Sequence, residues 1–404
     1  MKSVLALVAL GALAATSQRD AWTELHASIF LRTAPDGETY GEHELDPLLW
    51  PSSRWLTEPE RRGAILEALG KLNRADAAQR SVRERLVMQR DLWAVFDWVA
   101  ARDPESPLAA ALARAMRDVS ATVEELRAFK CCVDGVADVP GGLLDASQGW
   151  VRIADESGRP IAPLHDHAFD GRSYFEVLIR LPEGRAQTTA WLQELRVEPG
   201  LIADTAGSKR VSPDLPQLPN GTQLAIVRRA LAVATSGEAV VSDLVESVQV
   251  RQILANDVPR LDDPVILTLE EGRDHFVLAQ AVREFRLGRS GARALDEFGP
   301  NELDFGRLGS HGPDPFTQSK ASWDAQEPGL VNCSGCHAQP GVYSVNSLTR
   351  VSSGPGSIFM MGAKEGLTVP LPSDGSKARA AALAFKRRRP SWKALKSHWK
   401  SSPR

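Results

Sequence analysis

The chain has 404 residues, 43% hydrophobic and 25% charged, a composition that supplies apolar material for two or three globular domains and excludes a disordered or low-complexity protein. With only four Cys it needs no disulfide framework. The net charge of −3 conceals an asymmetry: ten Lys or Arg and no acid lie between Ser376 and Arg404, whereas residues 18–375 carry 37 basic and 51 acidic side chains. A tail of that kind can dock on an anionic membrane surface, an acidic partner or the protein's own acidic body, or stand as a solvated basic helix.

Met1 to Ser17 reads MKSVLALVALGALAATS, with an early Lys, an apolar stretch from Val4 to Ala15 and small residues at Ala12, Ala14 and Ala15. This is the pattern of a cleaved export signal, and the apolar stretch is too short to span a bilayer. The mature protein is expected to be periplasmic or extracellular. Residues 18–57 carry Trp22, Phe30, Trp50 and Trp55 between Pro and Gly breaks, so an irregular segment is expected there. From Glu58 to Phe129 apolar residues fall at helical spacing, with Ile65, Leu66, Leu69 and Leu72 on one face and Leu86, Leu92, Trp93, Phe96 and Val99 on another; three or four packed helices are expected. Within them, Asp91 and Asp97 stand among aromatics, which we read as core packing with solvated acids rather than a ligand cleft.

After Pro140-Gly141-Gly142 the texture changes. Trp150 to Ala154, Tyr174 to Leu181, Thr222 to Ala234, Leu244 to Ile253 and Phe276 to Leu287 read as strands, and Gly184 to Leu195 as a helix, giving a mostly antiparallel sheet with a helix on it. From Gly299 to Ala378 the chain is rich in Gly, Pro and Ser. Residues 378–388 and 391–400 then read as one helix broken at Pro390. The expected fold class is α+β multidomain: a signal at 1–17, a helical domain at 18–140, a β-rich domain at 141–298, and a small loop-rich segment with a basic C-terminal helix at 299–404.

That last segment holds the most informative residues. Cys333, Ser334, Gly335, Cys336 and His337 spell C-x-x-C-H, in which two thiols can add to the vinyl groups of one porphyrin and the adjacent imidazole lies under the iron. A Cys333 to Cys336 disulfide or a zinc site are the competing uses of the same side chains. The adjacent Cys131 and Cys132 could also pair with Cys333 and Cys336, although adjacent residues make two such bridges geometrically awkward.

The motif resembles the haem-attachment site of c-type cytochromes. The resemblance implies one covalent haem c on Cys333 and Cys336, His337 as proximal iron ligand, and a redox partner protein; covalent attachment on the outer side of the cytoplasmic membrane agrees with the export signal. It covers little beyond these five residues. Compact members of the family have a helix before the motif, whereas Phe316 to Leu330 contains Pro328-Gly329 and no sustained helical period. Their distal ligand is often a Met. Here Met360 and Met361 follow His337 by 23 and 24 residues and are the thioether candidates, with His311, His398, His165, His167 or water as the others.

His165-Asp166-His167 could in principle ligate a metal, but a polar loop or strand suits its setting better. No G-x-S-x-G elbow, P-loop, G-x-G-x-x-G or H-E-x-x-H occurs, which removes support from common hydrolase and nucleotide-dependent chemistries. Nucleic-acid binding would rest on the tail alone. The expected function is one-electron transfer by an exported c-type cytochrome-like protein. A haem-dependent peroxidase or oxidase, or a non-haem protein whose C-x-x-C-H carries a disulfide or zinc, are the alternatives.

Overall fold

Helix forms where the sequence reading expected irregular chain. The computed structural model describes residues 20–41, 52–130, 146–155, 169–197, 201–203, 209–211, 216–255, 279–287, 295–298, 313–326, 329–330 and 371–401, with single positions 158, 162, 165 and 303. The first of these ranges opens with helix α1 (Ala21–Phe30). Asp20 caps it, its Oδ1 accepting the Trp22 and Thr23 amides at 2.9 and 3.0 Å, and Leu25 and Ile29, four residues apart, are fully buried on one face. The Pro and Gly residues that suggested irregularity lie after this helix. There the short strands β1 (Arg32–Thr33) and β2 (Thr39–Tyr40) pair antiparallel.

Five further helices follow: α2 (Pro59–Lys71), α3 (Arg74–Ala78), α4 (Val82–Ala100), α5 (Pro107–Asp118) and α6 (Val123–Ala128). Their starts are written locally. Reciprocal capping boxes, Ser81 with Glu84 and Thr122 with Glu125, open α4 and α6, while Pro59 and Pro107 occupy the first positions of α2 and α5. From Arg85 to Ala100 every residue of α4 is buried, so this helix is surrounded on all sides and organises its layer.

The larger sheet has seven antiparallel strands in the order β10-β9-β8-β7-β4-β3-β11, built from β3 (Val151–Ala154), β4 (Ser173–Arg180), β7 (Gln223–Val233), β8 (Ala239–Ala255), β9 (Ala279–Leu287), β10 (Leu295–Phe298) and β11 (Leu371–Pro372). Helix α7 (Arg185–Val197) and the small pair β5 (Leu201–Ala203) and β6 (Lys209–Val211) lie between β4 and β7 in the chain. The fold class is therefore α+β with antiparallel sheets, and the five expected strands and the helix after Gly184 are present. β8 begins earlier than hydropathy suggested because a tight turn links it to β7: Ala234 N–H donates to the Glu238 carbonyl at 2.9 Å, and Gly237 takes φ +79°.

Side-chain alternation divides the sheet. Ile179, Leu224 and Ile153 face α7, where Trp191, Leu192 and Leu195 cover them. Leu178, Ala225 and Val227 point the other way, toward Leu86 and Val87 of α4 and Leu126 of α6. The result is three layers, helices, sheet and α7.

The basic tail forms α9 (Ser376–Arg388) and α10 (Pro390–Ser401), separated by an extended Arg389 that precedes Pro390. Trp392, Leu395 and Trp399 of α10 are buried in the same core as Leu92, Trp93 and Phe96 of α4 and Tyr174, Leu231 and Val233 of the sheet. The Trp93 and Trp392 rings lie 5.9 Å apart. Truncating Leu395, which has no exposed surface, to Ala should lower stability by about 2–5 kcal/mol, read as a lower urea midpoint with unchanged slope. A solvated helix would change by less than about 0.5 kcal/mol.

Candidate functional site

Cys333, Cys336, His337, Met360 and Met361 lie outside the described residues, as do Cys131, Cys132, His167 and His311. The export signal at 1–17 does too, and among the described residues no helix is long and apolar enough to cross a membrane. What the structure defines is the chain on either side of the C-x-x-C-H segment and two of the alternative histidine ligands. His398 places Nε2 2.7 Å from the Pro104 carbonyl and meets Phe96 edge-on at 6.2 Å, so it ties α10 to the loop after α4. His165 is half-buried with its ring 5.7 Å from Phe175. Burial, reinforced by the Arg251 and Arg228 charges, pushes its pKa down to about 4, which keeps it a neutral imidazole at physiological pH. Among the described residues no three His, Cys, Asp or Glu side chains gather closely enough to hold a metal.

The chain leading to the motif is fixed at two points. Asp314 receives both its contacts from one arm of Arg32, Nη1 donating to Oδ1 at 3.0 Å and to Oδ2 at 2.8 Å, with both side chains 4% exposed. The Arg32 guanidinium lies over the rings of Phe316 and Trp55, at 4.3 and 4.8 Å. Burial pushes the Arg32 pKa down and Asp314 opposes this. Asp314 Oδ1 also accepts the Phe316 amide at 3.1 Å, capping the short 3₁₀ turn Pro315–Thr317. At the second point Asp36 Oδ2 accepts the Tyr40 hydroxyl at 2.8 Å and Trp323 Nε1 at 2.7 Å. Trp323 belongs to the one-turn helix α8 (Lys320–Asp324) and packs with Tyr40, Phe316, Ala34 and Leu303. Arg32 and Asp314 are 282 residues apart, and nothing in the local sequence of either announces the other.

The chain leaving the segment is fixed as well. β11 adds to the sheet edge with Leu371 opposite Ala154 and Pro372 opposite Ile153, the Ser373 amide donates to the Arg152 carbonyl at 2.9 Å, and Arg152 Nη1 donates to the Asp374 carbonyl at 3.1 Å. Arg152 Nε is in turn 2.9 Å from Glu176 Oε1, and Arg229 Nε donates to Glu176 Oε2 at 2.8 Å. Burial pushes the neighbouring Tyr174 phenol up to about 12, so it remains neutral.

Further along, Lys386 is completely buried. Its Nζ donates to Asp97 Oδ2 at 2.6 Å and to Ser391 Oγ at 3.2 Å, and lies 3.4 Å from Asp170 Oδ2. Arg172 Nη1 donates to the same Asp97 oxygen at 3.1 Å, and Asp170 also takes Arg389 Nε and, at 2.7 Å, the Ser391 hydroxyl. This corrects the expectation that Asp91 and Asp97 are solvated: each is 5% exposed, Asp97 paired as above and Asp91 gripped by Arg90. Hydropathy alone could not separate the two, because a carboxylate beside buried aromatics is tolerated once its cation arrives from elsewhere.

Replacing Asp97 by Ala removes the carboxylate shared by buried Lys386 and Arg172, leaving Asp170 beside Lys386, and should cost about 3–5 kcal/mol by chemical denaturation. A second measurement concerns pH. Burial pushes the Asp170 carboxyl up, but the Lys386, Arg389 and Arg172 charges and the Ser391 hydroxyl outweigh it and hold the pKa down to about 2, against 3.8 ordinarily. A carboxyl lowered in the folded state stabilises above its unfolded pKa and loses that contribution as pH falls through the folded one. The stability difference between the parent and Asp170→Asn should therefore be complete at pH 6 and mostly lost at pH 2. Equal differences at both would show that the charge of Asp170 contributes nothing.

No known protein family matches the chain, and no curated protein or solved structure is significantly similar to it.

Proposed function

We propose that the protein is an exported c-type cytochrome-like electron carrier with one covalent haem on Cys333 and Cys336. The observation that carries this reading is the C-x-x-C-H sequence itself, and the anchored chain on both sides of it supports the reading. The donor set fits the group: two thiols for the vinyl carbons and a neutral imidazole, His337, for the iron. Bound there, haem supplies one-electron chemistry. The rest falls to the polypeptide. Met88 and Met116 are buried in the helical core, which leaves Met360 and Met361 as the thioethers free for the distal side, and two strong protein ligands favour outer-sphere electron transfer.

The helical and β layers would serve as the body that presents the haem segment to a redox partner. Five tail cations approach acids of this same body: Arg379 near Glu176, Lys386, Arg389, and both Arg387 and Lys396 near Glu238. Lys377 and Arg388 on α9, eleven residues apart, and Lys393 and Lys400 on α10, seven apart, are exposed. At those spacings each pair shares an outer helix face, suited to an acidic partner surface or anionic membrane.

The deciding experiment is a reduced pyridine haemochrome spectrum of the denatured protein, expressed as full precursor in a bacterium competent for c-haem maturation. A c-type band that disappears in the Cys333→Ala, Cys336→Ala chain is expected. Haem-free protein from that host would overturn the reading and favour a disulfide or zinc. Carbon monoxide added to the reduced holoprotein should bind slowly or not at all; rapid binding would move the function toward peroxide or ligand chemistry.

A further inference from the structure

The helical layer carries a cleft of about 290 Å³ that the electron-carrier reading does not use. It lies where α1 starts, α2 gives way to α3, and α5 ends against α4. We infer that this cleft binds a small primary ammonium ion with an aromatic or branched apolar body, the charge held by Asp118 and the body laid against Trp22. The inference is independent of the haem reading and survives its failure.

The walls divide by chemistry. Trp22, Leu72, Met88 and Val119 line the apolar part; Met88 and Val119 belong to the buried helical core, and Trp22 and Leu72 pack on its edge. Asp20, Asp76 and Asp118 supply the acids. Two of these are already engaged. Asp20 caps α1 and pairs with Arg80 at 3.1 Å, and Asp76 Oδ2 accepts Asn73 Nδ2 at 2.7 Å. Asp118 differs: among the described residues no hydrogen bond or ion pair reaches its carboxylate. Burial pushes its pKa up, against the pull of the Arg74, Arg114 and Arg117 charges. It is also the last residue of α5, the end at which the helix macrodipole disfavours an anion.

A half-buried carboxylate at that end of a helix weakens the fold, and such breaches of local rules concentrate where a chain binds something. The volume sets the size of the ligand, at the lower end of the range for small-molecule sites. An ammonium group meets the carboxylate in a charge-assisted hydrogen bond, and an aromatic body covers the Trp22 ring and the Met88 thioether. A bare divalent cation fits less well, because among the described residues no three acidic or other metal-ligating side chains come close enough to hold one. An anionic analogue faces Asp118 and is repelled.

The probe is phenethylammonium, titrated calorimetrically into the purified full chain. Saturable one-to-one binding is expected, at least about tenfold weaker for the neutral isostere phenethyl alcohol and absent for phenylacetate. Asp118→Asn should weaken the ammonium ion at least about tenfold and abolish its advantage over the alcohol, whereas Trp22→Leu should weaken both compounds. Asp118→Asn removes a charge that α5 resists, so it should melt no lower than the parent, which separates lost binding from lost structure. Glu105→Gln, at an exposed acid before the start of α5, should bind like the parent.

No saturable binding at millimolar phenethylammonium, equal affinity for the alcohol in the parent, or parent-like affinity in folded Asp118→Asn would each overturn the inference.

Discussion

The fold depends on a fully buried ammonium group from a helix near the end of the chain reaching a carboxylate in the last turn of α4, the longest helix among the described residues. Lys386 and Asp97 are 289 residues apart, and neither is stable in that location alone: an unpaired charge there would cost several kcal/mol. Arg172 and Asp170, from the chain around the start of β4, complete the cluster, so a single set of charges joins helical layer, sheet and tail. Lys386 also lies 4.9 Å from the centre of the Trp93 ring, where the quadrupole favours a cation. Apolar contacts then follow from the placement: with Lys386 fixed, α10 can turn after Arg389 and bring Trp392, Leu395 and Trp399 against α4 and α5.

This arrangement changes the meaning of the basic tail. Composition makes residues 376–404 look like a solvated charged appendage, and their excess of cations over acids is real. Part of it is consumed internally, because the body supplies acids at the matching places: Glu176 and Asp170 on or beside β4, Glu238 in the turn before β8, Asp97 within α4. The surface pairs among these contribute little individually. The buried ones fix orientation, and burying the aromatic and aliphatic side chains of α10 provides most of the stability.

Much of the architecture was legible in the sequence because it is written in short-range patterns. Alternation in Tyr174 to Leu181 and Thr222 to Ala234 acts over a few residues and gave those strands within a residue of their limits, whereas helical spacing from Glu58 to Phe129 gave three or four helices where five form, α3 being a single short turn. α1 was overlooked although Asp20 and the Leu25, Ile29 spacing announced it; the density of later Pro and Gly outweighed them. Burial of Asp97, Lys386, Arg32 and Asp314 was not legible at all. Each is explained only by a partner more than 70 residues away, and charge patterning along a single segment carries no information about such pairing. The candidate site shows the opposite balance: the proposal of a cofactor rests on five contiguous residues, while the side chains that hold the neighbouring chain are scattered from 32 to 323.

The location of the motif between two fixed flanks also follows from polymer physics. Asp314 to Trp323 is held by the N-terminal hairpin, and Leu371 onward by the sheet edge and the Lys386 cluster, so residues 327–370 bridge two points that the body itself sets. Closing such a loop costs free energy that rises only with the logarithm of its length, about 0.6 kcal/mol for each doubling. A body held by contacts of its own can therefore carry a long connection at nearly constant stability, and that connection is under little pressure to contribute to the core. It is rich in Gly, Ser and Pro, and its larger apolar residues are spread along it, with one run at Ile358-Phe359-Met360-Met361. On this view the stability of the body should be nearly independent of what that connection binds.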